Sequence, residues 1–174
     1  MKWLFSFALI LFSVGLHADV VAKGETGFNL KIVDEVSVWP QEAYDQFVRV
    51  DEWWLERHSW FGSRKNFSLE TKAGGCFCEI KDDQQVLHML VTFVNPGEEI
   101  KMVGGLGPLQ MMGLTGGMSW RFEALENGEG TRIIQTYNVN GWAPGGLLDL
   151  AEIVDAVQTS QLKALVARIN DQTS

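Results

Sequence analysis

Alternating apolar and polar positions run through most of the chain and predict a β-sheet. From residue 28 to 38 the apolar side chains fall largely at every second position, which is the spacing of a half-buried strand. The alternation returns at 118–125 and 131–139, on either side of the polar, glycine-containing turn 126–130, and so predicts a hairpin. Consecutive strands joined by short turns form antiparallel sheets.

Helical spacing occurs in two places. Pro40 suits the first position of a helix, and the residues up to Val48 continue a helical pattern. Residues 147–169 contain no glycine or proline and carry an apolar stripe that Gln158 interrupts, so they predict one long helix. This helix is the one long element able to cover a face of the sheet, and the predicted fold class is therefore α+β.

The hairpin predicted at 74–94 holds both cysteines and a candidate pair of catalytic residues, Glu79 and His88. An even-numbered turn would place this pair on one face of the sheet, whereas a three-residue turn would separate the two side chains. The more apolar positions of the second strand are Leu87, Met89, Val91 and Phe93. This alternation predicts that His88 points away from the core unless a β-bulge shifts the register.

Glu79 and His88 on one face could act as a general base pair or hold a polar ligand group. A purely structural hydrogen bond is the alternative. Cys76 and Cys78 would point the same way from an extended strand, at or beyond the usual bridging distance, so we predict buried free thiols. His58 could join Glu79 and His88 in a metal site by ligand type, but no spacing motif supports one, and no metal is predicted.

The N-terminus has the pattern of a secretory signal peptide. Lys2 precedes an apolar run at 3–16, and Ala18 offers a small residue for cleavage. The run of about 14 residues is shorter than the roughly 20 that span a membrane. We therefore predict a signal peptide at residues 1–18, export to the periplasm and no stable membrane insertion after the signal is removed. Residues 19–26 are predicted to be a loose leader.

Charge and motifs exclude several function classes. The 22 acidic and 14 basic residues give a net charge of −8, which argues against a nucleic-acid-binding surface. The glycine-rich stretch 104–113 lacks the third glycine of a dinucleotide fingerprint, and the chain has no Gly-Lys-Ser/Thr phosphate loop. No cofactor is predicted.

A set of short motifs runs along the predicted strands and loops in a fixed order. They are WW at 53–54, HSW at 58–60, GGCFCE at 74–79, Val86, His88, Val91, NPG at 95–97, LGPL at 106–109, GTR at 130–132 and APGG at 143–146. Together they resemble the SRPBCC (START-like, polyketide cyclase/dehydrase-like) superfamily, and in particular its short exported bacterial members. The resemblance implies a helix-grip domain over residues 27–171, in which a curved antiparallel sheet wraps around the C-terminal helix. It also implies a deep cavity between sheet and helix, with His88 facing inward.

Three functions fit these observations. The first is binding of a hydrophobic or amphipathic small molecule, with the apolar, glycine-rich loop 104–117 as a lid. The second is a cyclase/dehydratase-type enzyme in which Glu79 and His88 transfer protons. The third is a protein-partner module that uses the same loop. The candidate cavity residues are Trp54, His58, Trp60, Phe77, Leu109, Met112, Trp120, Trp142 and Gln158.

Overall fold

Eight antiparallel strands and a long C-terminal helix make up the computed structural model, which describes residues 18–126 and 128–172. The strands are β1 (Ala18–Gly24), β2 (Gly27–Val36), β3 (Phe67–Leu69), β4 (Cys76–Lys81), β5 (Gln84–Asn95), β6 (Glu99–Gly104), β7 (Thr115–Ala124) and β8 (Thr131–Asn140). The helices are α1 (Pro40–Phe47), α2 (Val50–Trp53) and α3 (Leu148–Gln172). One sheet contains all these strands in the order β1-β2-β8-β7-β6-β5-β4-β3. The α+β helix-grip prediction is confirmed.

The alternation of apolar residues sets the side of the sheet that is buried. On β2, Phe28, Leu30 and Ile32 are buried while the residues between them face outward. Helix α3 covers this side and contributes Leu162 and Leu165 to the core. Burial of each such side chain stabilises the fold by about 1.5–3 kcal/mol. No helix within the described part of the chain is long and apolar enough to cross a membrane.

Strand β1 corrects the prediction of a loose leader at 19–26. Residues 18–24 pair with residues 27–32 of β2, with a bulge between Val20 and Ala22. Backbone hydrogen bonds to a neighbouring strand do not require alternating polar and apolar side chains, so the side-chain pattern of residues 19–26 did not indicate this strand. The sheet thus begins before residue 27. The predicted signal peptide, residues 1–18, lies outside the described residues except for Ala18.

The hairpin of β4 and β5 has a two-residue turn, since Lys81 pairs with Gln84. The even-numbered turn is the alternative that places Glu79 and His88 on one face. Phe77 pairs with Met89, but the next residue of β4 pairs with Leu87, so His88 is the extra residue of a β-bulge. His88 and Met89 are both buried as a result.

The two cysteines form a disulfide, and the prediction of free thiols is wrong. The Cα atoms of Cys76 and Cys78 are 5.4 Å apart, whereas two residues in an extended strand span roughly 6.6 Å. The backbone of β4 therefore contracts where it faces the bulge of β5, and this brings the pair within the usual bridging distance.

Candidate functional site

A cavity of about 370 Å³ opens at one end of the sheet. Three segments and one strand residue form its walls: the segment 54–60, the loop 106–112, the first half of α3, and His88 of β5. From α3 come Leu150, Ile153, Val154, Val157 and Gln158. Their spacing of three and four residues puts them on one face of the helix, and that face is apolar except for Gln158.

The loop between β6 and β7, residues 105–114, closes over the cavity. We call this loop the lid. Its Leu109 is buried. The hydroxyl of Tyr137 accepts a hydrogen bond from the backbone N–H of Leu106 (3.1 Å) and donates one to the carbonyl of Gly104 (3.0 Å). Burial raises the pKa of Tyr137 to about 12. In the middle of the lid, the Gln110 amide donates to the Leu87 carbonyl at 2.7 Å, so the start and the middle of the lid are tied to the sheet.

Glu79 lies behind the cavity wall, fully buried (0% exposed). Its carboxylate accepts hydrogen bonds from the Ser59 hydroxyl at 2.5 Å and from the backbone N–H groups of Trp60 and Phe61 at 2.9 Å each. Burial alone would raise the pKa of Glu79, but these donors and His88 outweigh it and hold the pKa below its usual value. Glu79 is therefore an anionic anchor for the wall segment that carries Ser59 and Trp60.

His88 lines the cavity and is 3% exposed. Its Nε2 lies 3.4 Å from Glu79 Oε2. The imidazole stacks on the Phe67 ring at 5.3 Å between centroids, and Phe77 packs against it at 5.4 Å. Burial lowers the pKa of His88, and the opposing effect of Glu79 is smaller. The ring is therefore neutral near pH 7, and its buried Nδ1 has no hydrogen-bond partner among the described residues.

His58 is a second histidine of the cavity lining. Its Nδ1 is 2.7 Å from Nε2 of Gln161, while Oε1 of Gln161 accepts a hydrogen bond from the backbone N–H of Leu55. Burial and the nearby Arg57 lower the pKa of His58. A third polar group, Gln158, accepts a hydrogen bond from Gln135 of β8 at 2.6 Å.

The structure brings most of the predicted cavity residues together. Those that line the cavity are Trp54, His58, Trp60, Leu109, Met112 and Gln158, together with His88. Sequence reasoning missed the residues of α3 other than Gln158, although their helical spacing was a usable signal. It also missed Arg57 and Leu106.

Three predicted cavity residues lie elsewhere. Phe77 is buried behind His88. Trp120 belongs to the aromatic core, 4.9 Å from the Phe47 ring. Trp142 is 73% exposed and does not line the cavity, because its loop runs over the surface. Glu79 does not line the cavity and is connected to it through three lining residues, Ser59, Trp60 and His88. Within the described residues, no three His, Cys, Asp or Glu side chains are grouped so that they could hold a metal ion.

Comparisons with known proteins support the fold. No protein-family model matches the chain, and no curated protein matches it. Among solved structures, the chain is similar to MLL2253 from Mesorhizobium loti, with a TM-score of 0.59 at 12% identity over 84% of this chain and 98% of that chain. It is similar to Ara h 8.0201 with a TM-score of 0.55 at 12% identity over 83% and 99% of the two chains. The di-domain ARO/CYC StfQ from the steffimycin biosynthetic pathway gives a TM-score of 0.57 at 15% identity, over 86% of this chain and 52% of that chain. Identities this low concern the fold alone, and these structures support the helix-grip fold.

Proposed function

We propose that this protein binds a hydrophobic or amphipathic small molecule in the cavity between the lid, the wall segment 54–60 and α3. The observation that carries the proposal is the cavity itself, whose volume of about 370 Å³ lies in the range of small-molecule sites. Its walls are mostly apolar, with a few polar groups that converge on it. Such a lining favours a ligand with an apolar body and few polar atoms.

Binding of the fluorescent apolar probe N-phenyl-1-naphthylamine tests this proposal. Val157 lines the cavity, so Val157→Trp should fill the space and weaken probe binding at least tenfold. Ala156→Trp is the matched control, because Ala156 is the preceding helical residue, is exposed and does not line the cavity. The proposal fails if the wild-type protein does not bind the probe, or if both variants bind it equally well.

A second candidate function is proton transfer by His88. The supporting observation is that Glu79 lies 3.4 Å from Nε2 of His88, a residue of the cavity lining, while Nδ1 has no hydrogen-bond partner among the described residues. A carboxylate orients a histidine base in the same way in hydrolases. Glu79 would then be a positioning residue rather than a catalytic one. Compounds extracted from wild-type protein and from His88→Gln, each purified from its native host, should differ in mass if His88 converts substrate to product. The same compound in both proteins would refute catalysis.

The protein-partner function has less support. Leu106 and Leu109 of the lid are buried in the isolated chain, whereas a contact surface for a partner would leave such residues exposed. Met111 and Met112 are the exposed exceptions.

The site is proposed to act after export to the periplasm, on the basis of the N-terminal pattern at residues 1–18. Fractionation of the native host should find the protein in the periplasm, shortened by about 18 residues if cleavage follows Ala18. A full-length cytoplasmic protein would refute this part of the proposal.

A further inference from the structure

The hydrogen bonds of Glu79 determine which nitrogen of His88 carries the proton. Glu79 is ionised, because its donors lower its pKa, and an ionised carboxylate only accepts hydrogen bonds. Its contact with His88 Nε2 therefore requires Nε2–H as the donor. Since burial keeps the imidazole neutral, Nδ1 is left as a hydrogen-bond acceptor with a free lone pair.

The described part of the protein supplies no hydrogen-bond partner to this acceptor. Nδ1 is fully buried and contacts no hydrogen-bonding group of the described residues. Phe67 and Phe77 cover the ring on the protein side, while His88 also forms part of the cavity lining. A buried polar atom destabilises a protein unless it is hydrogen-bonded. A ligand hydroxyl or N–H in the cavity would satisfy it.

His58 presents the opposite polarity. The carbonyl oxygen of Gln161 is identified by the hydrogen bond that it accepts from the Leu55 N–H, so the other side-chain atom, Nε2, is an amide donor. That donor lies 2.7 Å from Nδ1 of His58, which must accept. In neutral His58 the proton is therefore on Nε2, and this N–H is left to donate to a group in the cavity.

We infer that the ligand is a neutral molecule with an apolar body, a hydroxyl or N–H group that donates to Nδ1 of His88, and a carbonyl or ether oxygen that accepts from Nε2–H of His58. This inference rests on the proposed function, because it assigns the chemical class of ligand for the same cavity. A carboxylate has no proton to give to Nδ1. It would instead be drawn to Arg57, the exposed cation in the lining.

Four biphenyl probes test the inference on the full chain by displacement of N-phenyl-1-naphthylamine: biphenyl, 4-phenylphenol, 4-acetylbiphenyl and 4-phenylbenzoate. His88→Phe removes the acceptor and should weaken binding of 4-phenylphenol about fivefold to tenfold, the size of one neutral hydrogen bond. It should leave 4-acetylbiphenyl and biphenyl within about twofold. His58→Phe should show the reverse pattern, with loss confined to 4-acetylbiphenyl.

The outcomes separate this inference from the proposed function. If N-phenyl-1-naphthylamine does not bind and the biphenyl probes therefore have nothing to displace, the proposed function and this inference both fail. If the probes bind but neither histidine variant discriminates among them, the ligand class is wrong and the binding function stands. Tighter binding of 4-phenylbenzoate than of 4-phenylphenol, unaffected by His88→Phe, would also overturn the ligand class.

NMR of the wild-type protein provides a test that does not depend on a folded variant. Long-range ¹H–¹⁵N spectra distinguish the two neutral tautomers of histidine, and the full chain has only three histidines to assign. Both His58 and His88 should carry the proton on Nε2 at pH 7. Adding 4-phenylphenol should shift the Nδ1 signal of His88 upfield, and biphenyl should not. An Nδ1–H tautomer at His88, or equal shifts with both probes, would overturn the inference.

Discussion

Replacing Glu79 with glutamine tests whether this carboxylate is a structural anchor. The substitution keeps the shape of the side chain but exchanges one acceptor oxygen for an NH₂ group. In one amide orientation the NH₂ faces the N–H of Phe61, and in the other it faces the N–H of Trp60. Facing Trp60, the NH₂ group leaves that backbone donor without a partner. Facing Phe61, it leaves that N–H only its 3.2 Å contact with Ser59 Oγ. In both orientations the remaining hydrogen bonds no longer involve a charge.

The expected loss of stability follows from these contacts. An unsatisfied buried donor costs about 1–3 kcal/mol, and hydrogen bonds to a charged group are worth about 1.5–3 kcal/mol against roughly 1 for neutral ones. Allowing for relief of the buried charge, we expect Glu79→Gln to lower the free energy of unfolding by about 3 kcal/mol. For a domain of this size that corresponds to a fall in Tm of roughly 6–12 °C.

Urea unfolding followed by tryptophan fluorescence measures the change. Glu152→Gln is the matched control, because Glu152 forms an exposed ion pair with Lys23 and such pairs contribute at most about 1 kcal/mol. Because the folded pKa of Glu79 is lowered, its stabilisation is present above the unfolded value of 4.5 and is lost as the pH falls through the folded pKa. The difference between wild type and Glu79→Gln should therefore shrink below about pH 4.5. Equal stability of Glu79→Gln and Glu152→Gln, or a difference that grows on acidification, would refute the anchor.

Three further substitutions test the lid, the core and the disulfide. Tyr137→Phe removes both hydrogen bonds that hold the start of the lid. Amide hydrogen exchange across 105–114 should therefore accelerate, and the free energy of unfolding should fall by about 1–3 kcal/mol. Unchanged exchange would contradict this role of Tyr137. Trp120→Ala in the core should lower the free energy of unfolding by about 3–5 kcal/mol, whereas Trp142→Ala on the surface should change it by no more than about 0.5 kcal/mol. Similar urea midpoints for the two variants would contradict the core position of Trp120 and the surface position of Trp142. The double substitution Cys76→Ser and Cys78→Ser opens a three-residue loop, for which chain entropy predicts that the free energy of unfolding falls by only about 1.5 kcal/mol. The intact mass of the wild type should be about 2 Da below that of the reduced chain. Equal masses would refute the disulfide.

Side-chain periodicity predicted those parts of the fold where one face of an element is buried. The hairpin expected at 118–125 and 131–139 corresponds to β7 and β8, and the helix expected from 147 corresponds to α3. Strand β1 was missed because its pairing with β2 depends on backbone hydrogen bonds. A pattern of side chains carries no record of such bonds.

The site was less predictable because two of its determinants depend on register and depth. The inward orientation of His88 comes from a bulge that displaces one residue relative to β4, and the alternation on β5 alone indicated the outer face. Aromatic residues were predicted to line the cavity on their type alone. Trp54 and Trp60 do line it, but Trp120 is in the core, and nothing in the residue type separates these environments.

Glu79 connects the fold to the site, and its role explains why the cavity wall holds its shape. The wall residues Ser59 and Trp60 lie in a segment with little regular structure, where backbone donors lack the partners that a strand would provide. A buried carboxylate supplies acceptors for several of them at once, and these hydrogen bonds offset the cost of burying its charge. The same carboxylate fixes the proton of His88 on Nε2. The tautomer of His88 and the position of the cavity wall are therefore set by one side chain, which itself does not line the cavity.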